Sequence, residues 1–308
     1  MNPLQYFQLK LTERKYKTLD SFIPFTLTEQ VEYQPYNEVE NRIQKFKCYT
    51  EIGKDASGKY GMYLVELGNK AKPKIMILSC LHGTEWQSTQ FSLKFMEQLE
   101  NDTFPDHKFR QYILSQFHIL FIPVANPWGY NHTTPLSRYK GRKNANKVNL
   151  NRDFYDFTQE ESQHIKKVID KYKPFFYLDC HLMAPRKDGG QNYQDMIVGN
   201  VDHESDLYRD FIAKSLSVYA NREVEQWNQH NNREHNGLSR RYLFNKPNPF
   251  TPNSFPFILE LYRPVKNKDG IVAYLTDQEI YQFGIGAMYL FFKSAIHYYL
   301  TNNKKKIK

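Results

Sequence analysis

The sequence predicts an α/β sandwich whose sheet is mostly parallel, or mixed if it includes an early hairpin. One observation is that short apolar runs, typical of buried strands, alternate with segments of helical periodicity along most of the chain. A second is a hairpin pattern before that alternation begins. The third is size: 308 residues with 40% apolar residues can bury a substantial core.

The first half of the chain predicts a hairpin followed by strand, helix and strand. Residues 47–68 (KCYTEIGKDASGKYGMYLVELG) alternate apolar and polar side chains around a Gly/Ser/Asp turn, which favours the hairpin. The continuous apolar run at 72–80 predicts a buried strand. Helical spacing of apolar residues at 84–100 predicts a helix, and 117–124 reads as the next buried strand.

The second half continues the alternation. Thr158 and Glu161 have the spacing of a capping box, which predicts a helix start at the segment 159–172. Pro174 then introduces a strand. The remaining predicted elements are strands at 175–181, 195–200 and 255–262, and helices at 204–220 and near 277–300.

Neither an internal repeat nor a long low-complexity linker divides the sequence. We therefore expect one domain at 45–300, preceded by a lead-in at 1–44 that packs on it and followed by a basic tail at 301–308. The net charge of +9 owes four charges to that tail, so a solvated tail explains it better than a polyanionic partner. The chain has no nucleic-acid-binding signature, and we expect no such partner.

The sequence also bears on location. No apolar stretch approaches the length of a membrane span, and the first residues lack the apolar core of a signal peptide. We therefore expect no membrane association and a cytoplasmic location by default. The sequence leaves the oligomeric state open.

Candidate metal ligands follow two of the predicted strands. His82 and Glu85 come just after the first buried strand, where ligands collect in open α/β sheets. A catalytic zinc commonly takes three protein ligands, so a third is needed. His181, which ends the strand at 175–181, is the best candidate. His230 and His235, in a polar probable loop, are the alternatives.

Other polar groups could bind and activate a substrate. Asn151 and Arg152 are adjacent and could hold a carboxylate through charge-assisted hydrogen bonds. Arg142 could meet a developing oxyanion. Glu260 lies within an apolar strand, where it is either part of a structural ion pair or a general base.

In order and spacing these residues closely resemble the zinc carboxypeptidases of the M14 family, the carboxypeptidase A type. The resemblance spans about residues 45 to 295 and includes H-x-x-E, N-P-x-G-Y, R-K, N-R, a strand-ending His and a late E-L. It implies a three-layer α/β/α sandwich with a mixed, mostly parallel central sheet and a Zn²⁺ cofactor. The roles that it implies are zinc ligation by His82, Glu85 and His181, general base and acid catalysis by Glu260, carbonyl polarisation by Arg142, and carboxylate binding by Asn151 and Arg152.

Two differences from the family pattern bear on the candidate site. Asn149 stands where the family usually has an aspartate that orients the first zinc histidine, and it lacks the charge that raises ligand basicity. Tyr242 is the nearest candidate for a substrate-contacting tyrosine that many members have before the catalytic Glu.

Three functions fit this pattern. The first is a zinc-dependent hydrolase that cleaves an amide next to a free carboxylate, with a peptide or an acyl amino acid as substrate. The second is an N-acyl amino acid deacylase that resembles succinylglutamate desuccinylase and aspartoacylase. The third is an inactive binding module, which the retained Glu260 argues against. Richness in Lys, Asn and Tyr suggests a low-GC bacterium or its phage, hence a peptidoglycan substrate and, if phage-encoded, a virion-associated location.

Overall fold

A computed structural model describes residues 3–25, 31–184, 195–199, 203–228, 237–244, 254–267, 270–272 and 275–302. The helices in this part of the chain are α1 (Pro3–Tyr16), α2 (Tyr36–Ile43), α3 (Trp86–Glu100), α4 (His107–Gln116), α5 (Pro127–Asn131), α6 (Glu160–Tyr172), α7 (His203–Ala220), α8 (Ser239–Phe244) and α9 (Asp277–Asn302). The strands are β1 (Tyr49–Lys54), β2 (Gly61–Gly68), β3 (Lys74–Ser79), β4 (His118–Ile122), β5 (Phe176–Met183), β6 (Asp195–Gly199), β7 (Val224–Asn228), β8 (Phe255–Tyr262), β9 (Val265–Asn267) and β10 (Gly270–Val272).

Eight of the described strands form one mixed sheet in the order β1-β2-β4-β3-β5-β8-β6-β7. The strands at its centre are parallel: β3 pairs in parallel with β4 and β5, and β5 pairs in parallel with β8. The predicted hairpin forms an antiparallel edge. Strands β9 and β10 make a separate two-stranded sheet.

Alternate side chains of the central strands point to opposite faces of the sheet, and each face is covered by helices. Ile75 and Ile77 of β3 pack in the larger core cluster with residues of α3 and α9. Met76 and Leu78 face the other way, into a smaller cluster with residues of α6. The predicted three-layer α/β/α sandwich with a mixed, mostly parallel sheet is therefore confirmed.

The N-terminal segment packs on this sandwich. Val39 and Ile43 of α2 are buried in the larger cluster. The Tyr36 hydroxyl donates to the carbonyl of Gly61, at 2.5 Å. The predicted boundaries at residues 44 and 300 stay predictions, and residues 303–308 of the tail lie outside the described chain. Among the described helices, none has both the length and the apolar character that a membrane span requires.

The predicted capping box at Thr158 and Glu161 is wrong. Asp153, from the preceding segment, accepts hydrogen bonds from the backbone N–H groups of Thr158 and Gln159 and also from the Thr158 hydroxyl. Glu161 turns away and accepts from the backbone N–H of Ala56. A carboxylate five residues before Thr158 therefore accepts the hydrogen bonds that the capping box was expected to make.

The contact between α3 and α9 supplies a stability prediction. Gly284 of α9 lies against the ring of Phe91, and an added Cβ would overlap that ring. We expect Gly284→Ala to lower the free energy of unfolding by about 1–3 kcal/mol, because overpacking outweighs the gain in helix propensity. Gly286→Ala is the matched control, since the nearest contacts of its Cβ would be Tyr219, at 3.0 Å, and Ile23, at 3.5 Å, which need only a small shift. Equal stability of the two variants in urea unfolding would contradict this packing.

Candidate metal centre

The carboxyl ends of β3 and β5 bring the candidate ligands together. In the sheet, β3 lies between β4 and β5. The chain therefore leaves β3 for β4 on one side and later returns to β5 on the other side, which reverses the strand order at this point. After β3, Cys80 adopts a left-handed conformation (φ 57°), which turns the chain towards His82. Glu85 occupies the N-cap position of α3, and His181 lies within β5.

The three side chains form a compact, buried set. Nδ1 of His82 lies 2.8 Å from one oxygen of Glu85, and Nδ1 of His181 lies 2.9 Å from the other. The exposed fractions of His82, Glu85 and His181 are 4%, 1% and 1%. One ligand atom from each lies within 4.8 Å of the others. Two imidazole nitrogens and one carboxylate oxygen are a donor set of catalytic zinc sites, so these residues fit the ion.

Asn149 contacts the outer nitrogen of His82. Its Oδ1 lies 3.0 Å from Nε2 of His82 and also accepts the backbone N–H of Asn151. A carboxamide oxygen can only accept, so this contact keeps the His82 proton on Nε2 and leaves Nδ1 for a metal. Asn149 thus fixes the orientation and tautomer of His82 without a charge.

A carboxylate contacts the outer nitrogen of His181. Oδ2 of Asp179 lies 3.1 Å from Nε2 of His181, and neither side chain is more than 1% exposed. The Ser239 hydroxyl, at the start of α8, donates to the same Asp179 oxygen. Asp179 and His181 share a face of β5 because side chains alternate along a strand.

The electrostatics of the set reflect these contacts. Burial lowers the pKa of His82 to about 4, so this ring is neutral. Burial also acts against charge on His181, but Asp179 and Glu85 together raise its pKa well above the usual value. The pKa of Glu85 is well below its usual range, because the two histidines outweigh burial. The carboxylates of Asp179 and Glu85 therefore favour a positive charge at the position between them.

Glu260 faces the same centre from the next strand. It is paired in register with His181 across β5 and β8. Burial raises the pKa of Glu260 to about 7, against the opposing effect of His181. A carboxyl group with a pKa near neutrality can both accept and release a proton, as a general base and acid must.

The arginines lie at the mouth of the centre. Nη1 of Arg142 is 3.1 Å from Glu85, and its side chain is 37% exposed. Arg152 is exposed and donates to the carbonyl of Asn151. Partial burial lowers the pKa of Arg152, and the positive charge of Arg142 lowers it further. Arg152 can therefore meet an anionic part of a substrate beside the centre.

Asn151 lies deeper than its neighbour Arg152. It is 5% exposed, its Oδ1 accepts the backbone N–H of Ser239, and its Nδ2 is 3.3 Å from Nε2 of His181. The structure therefore places Asn151 against His181, with both ends of its amide in contact with protein atoms.

Glycine contacts position Arg142 and explain part of the N-P-x-G-Y motif. Added Cβ atoms at Gly83 and Gly129 would overlap the backbone of Gly129 and Gly141 respectively. The loop between His82 and Glu85, helix α5 and the segment before Arg142 are therefore stacked in direct backbone contact. Larger residues at these glycines would move Arg142 away from Glu85.

Sequence reasoning missed Arg263, which is fully buried three residues after Glu260. Its guanidinium donates to the carbonyl oxygens of Ser137, at 2.7 Å, and Arg138, at 3.4 Å. Burial lowers its pKa to about 10. Arg263 thus ties the segment that leads to Arg142 to the end of β8. An arginine close behind the candidate base was the only sequence signal for this contact.

The structure contradicts the prediction for Tyr242. Its hydroxyl donates to the carboxylate of Asp170, at 2.7 and 2.9 Å, and its ring packs on Phe157. Asp170 is near the end of α6, just before β5 begins, whereas His181 lies towards the carboxyl end of β5. The Tyr242 hydroxyl therefore points to the opposite edge of the sheet. The alternative ligands His230 and His235 lie outside the described residues.

The fold and this donor set together resemble those of zinc metallohydrolases. The family model described as zinc carboxypeptidase (peptidase M14) matches residues 33–179. That range contains the H-x-x-E, N-P-x-G-Y and N-R motifs and ends just before His181. Carboxypeptidase E of Caenorhabditis elegans is 28% identical over 130 residues, which are 39% of this chain and 27% of that relative. The matches span about a quarter of the length of the curated relatives.

Solved structures of carboxypeptidases share the fold over most of the chain. The carboxypeptidase A of Helicoverpa armigera has a TM-score of 0.65 and 19% identity, covering 94% of this chain and 81% of its own. A metallo-carboxypeptidase of Pseudomonas aeruginosa has a TM-score of 0.63 and 15% identity, covering 86% and 68%. The resemblance to the M14 family is confirmed, because the family model matches residues 33–179 and solved carboxypeptidases share the fold.

Proposed function

We propose that this chain is a zinc-dependent carboxypeptidase that hydrolyses an amide bond next to a free carboxylate. The observation that carries the proposal is the buried set of His82, Glu85 and His181, with Glu260 in register on the adjacent strand. His82, Glu85 and His181 would hold the ion. Zinc supplies a Lewis acid for the scissile carbonyl and makes the attacking water more acidic.

The other residues supply proton transfer and substrate orientation. Glu260 accepts a proton from the attacking water and returns it to the leaving amine, which its pKa of about 7 permits. Arg142 stabilises the negative charge that develops on the carbonyl oxygen. Arg152 and the side-chain amide of Asn151 bind the terminal carboxylate, and the backbone carbonyl of Asn151 holds the Arg152 guanidinium in place.

Removal of the Arg152 charge should weaken substrate binding. We expect Arg152→Gln to raise KM about 10- to 100-fold, since a charge-assisted hydrogen bond contributes about 1.5–3 kcal/mol. The matched control is Lys143→Gln, which removes a nearby exposed charge. Steady-state kinetics with a peptide that has a free C-terminus would measure both variants. Similar KM values for the wild type and Arg152→Gln would rule out this carboxylate contact.

A substrate panel tests the proposed activity. The zinc-loaded protein should cleave N-blocked peptides with a free C-terminal carboxylate and leave their C-terminal amides intact. Chelation should abolish cleavage, and added zinc should restore it. A zinc-loaded protein that cleaves no peptide but deacylates N-acyl amino acids would favour the deacylase. One that does neither would favour a binding module.

Within this panel we propose a cell-wall stem peptide as the natural substrate. The support is compositional, from the Lys, Asn and Tyr content that suggests a low-GC bacterium or its phage. The Pseudomonas aeruginosa structure, in complex with a substituted succinic acid, supports a ligand that bears free carboxylates. Muropeptides with and without the terminal residue test this proposal. A cytoplasmic location, or a virion-associated one, remains a prediction.

A further inference from the structure

We propose that Asp179 is a positioning residue for the metal centre and supplies, behind the second histidine, the negative charge that Asn149 lacks behind the first. This inference rests on the proposed zinc site. Asp179 Oδ2 lies 3.1 Å from Nε2 of His181, whereas the atom facing Nε2 of His82 is the neutral Asn149 Oδ1. In this chain the charged partner therefore contacts His181, and His82 has a neutral partner.

The contact controls which nitrogen of His181 keeps a proton in the neutral ring, the form that binds a metal. Nε2 has two neighbours, since Nδ2 of Asn151 lies 3.3 Å away. An amide nitrogen only donates, so Asn151 alone would favour a bare Nε2 with the proton on Nδ1. A proton on Nδ1 occupies the atom that faces Glu85 and that a metal needs. The Asp179 carboxylate only accepts, and its charge favours the form with the proton on Nε2.

The surroundings hold Asp179 in place for this role. The Ser239 hydroxyl donates to the Asp179 oxygen that contacts His181, and the Ser239 backbone N–H donates to Asn151. Both Asp179 and Ser239 are fully buried. The start of α8 therefore ties together the two side chains that compete for Nε2 of His181, and water does not screen the carboxylate.

Zinc affinity, measured by competition with a chromophoric chelator, tests the inference independently of catalysis. Asp179→Asn keeps the shape but loses the charge, and we expect about 10- to 100-fold weaker zinc binding. Asn149→Asp returns a charge to His82. In the Asp179→Asn background it should restore affinity to within about threefold of the wild type, since the two charges act on the same ion.

Controls separate positioning from folding. Asp195→Asn removes another buried carboxylate of the same sheet, which contacts Arg222 and the Tyr262 backbone. It should leave zinc affinity unchanged. Thermal unfolding of the metal-free forms checks that each variant folds. If Asp179→Asn does not fold, Asn149→Asp alone is decisive, because the inference requires tighter zinc binding from a second charge.

The outcomes are distinct. A wild-type protein that binds no zinc would overturn the proposed function together with this inference. A wild type that binds zinc, with an Asp179→Asn affinity equal to it, would overturn the inference alone. The inference alone would also be overturned if Asn149→Asp did not rescue the affinity of Asp179→Asn. It would likewise be overturned if Asn149→Asp by itself bound zinc no more tightly than the wild type.

Discussion

Replacement of His181 by alanine is expected to remove stoichiometric zinc binding. The wild type should hold about one zinc per chain, since three protein ligands suffice for a catalytic site. The variant keeps His82 and Glu85, which make only two ligands. Its loss of affinity should exceed the about 10- to 100-fold that removal of an outer partner costs, because the metal bond itself is lost. Elemental analysis after dialysis against a weak chelator measures the difference.

The chain offers a close control for this experiment. His118 is also a buried strand histidine, 1% exposed, with its Nε2 3.0 Å from a glutamate, Glu66. His118→Ala therefore removes an imidazole of similar burial and pairing away from the candidate centre. It should keep its zinc. If both variants lose zinc, general destabilisation is the cause; if neither does, His181 is not a ligand.

The position of the candidate ligands was predictable because it depends on strand ends. A buried strand followed directly by His82, and another that includes His181, must deliver both residues to one edge if the strands are parallel neighbours. The motif spacing then selected the same residues. Glu260 could also be anticipated, since a carboxylate in an apolar strand requires a reason to be there.

Several partners could not be predicted from motif spacing. Asp153 displaced the expected capping box although it lies only five and six residues before Thr158 and Gln159, because the Thr-Glu pattern does not include it. Spacing from Glu260 suggested Tyr242, but Asp170 draws its hydroxyl to the other edge of the sheet. The contact of Ser239 with Asp179 joins residues sixty positions apart, so only the packed structure reveals it. The sequence thus indicates ligands better than the residues that orient them.

Replacement of Glu260 by glutamine should give the largest loss of activity. The amide cannot accept the proton of the attacking water, so kcat should fall about 10²- to 10⁴-fold. The control is Glu66→Gln, which alters a half-buried strand glutamate that contacts His118, and it should leave kcat unchanged. Full zinc content in Glu260→Gln would show that the loss lies in proton transfer. Undiminished turnover would remove Glu260 from the proposed mechanism.

The same residue should set the acid limb of the pH profile. Burial raises the pKa of Glu260 to about 7, and only its deprotonated form can act as the base. A nearby zinc ion favours the charged carboxylate and lowers this pKa, so kcat/KM should fall as the pH drops through a value at or below about 7. Loading with Co²⁺ in place of Zn²⁺ keeps the charge, so a limb that belongs to Glu260 should stay in place. A limb retained in the residual activity of Glu260→Gln would belong to another group, because that variant has no carboxyl group to titrate at this position.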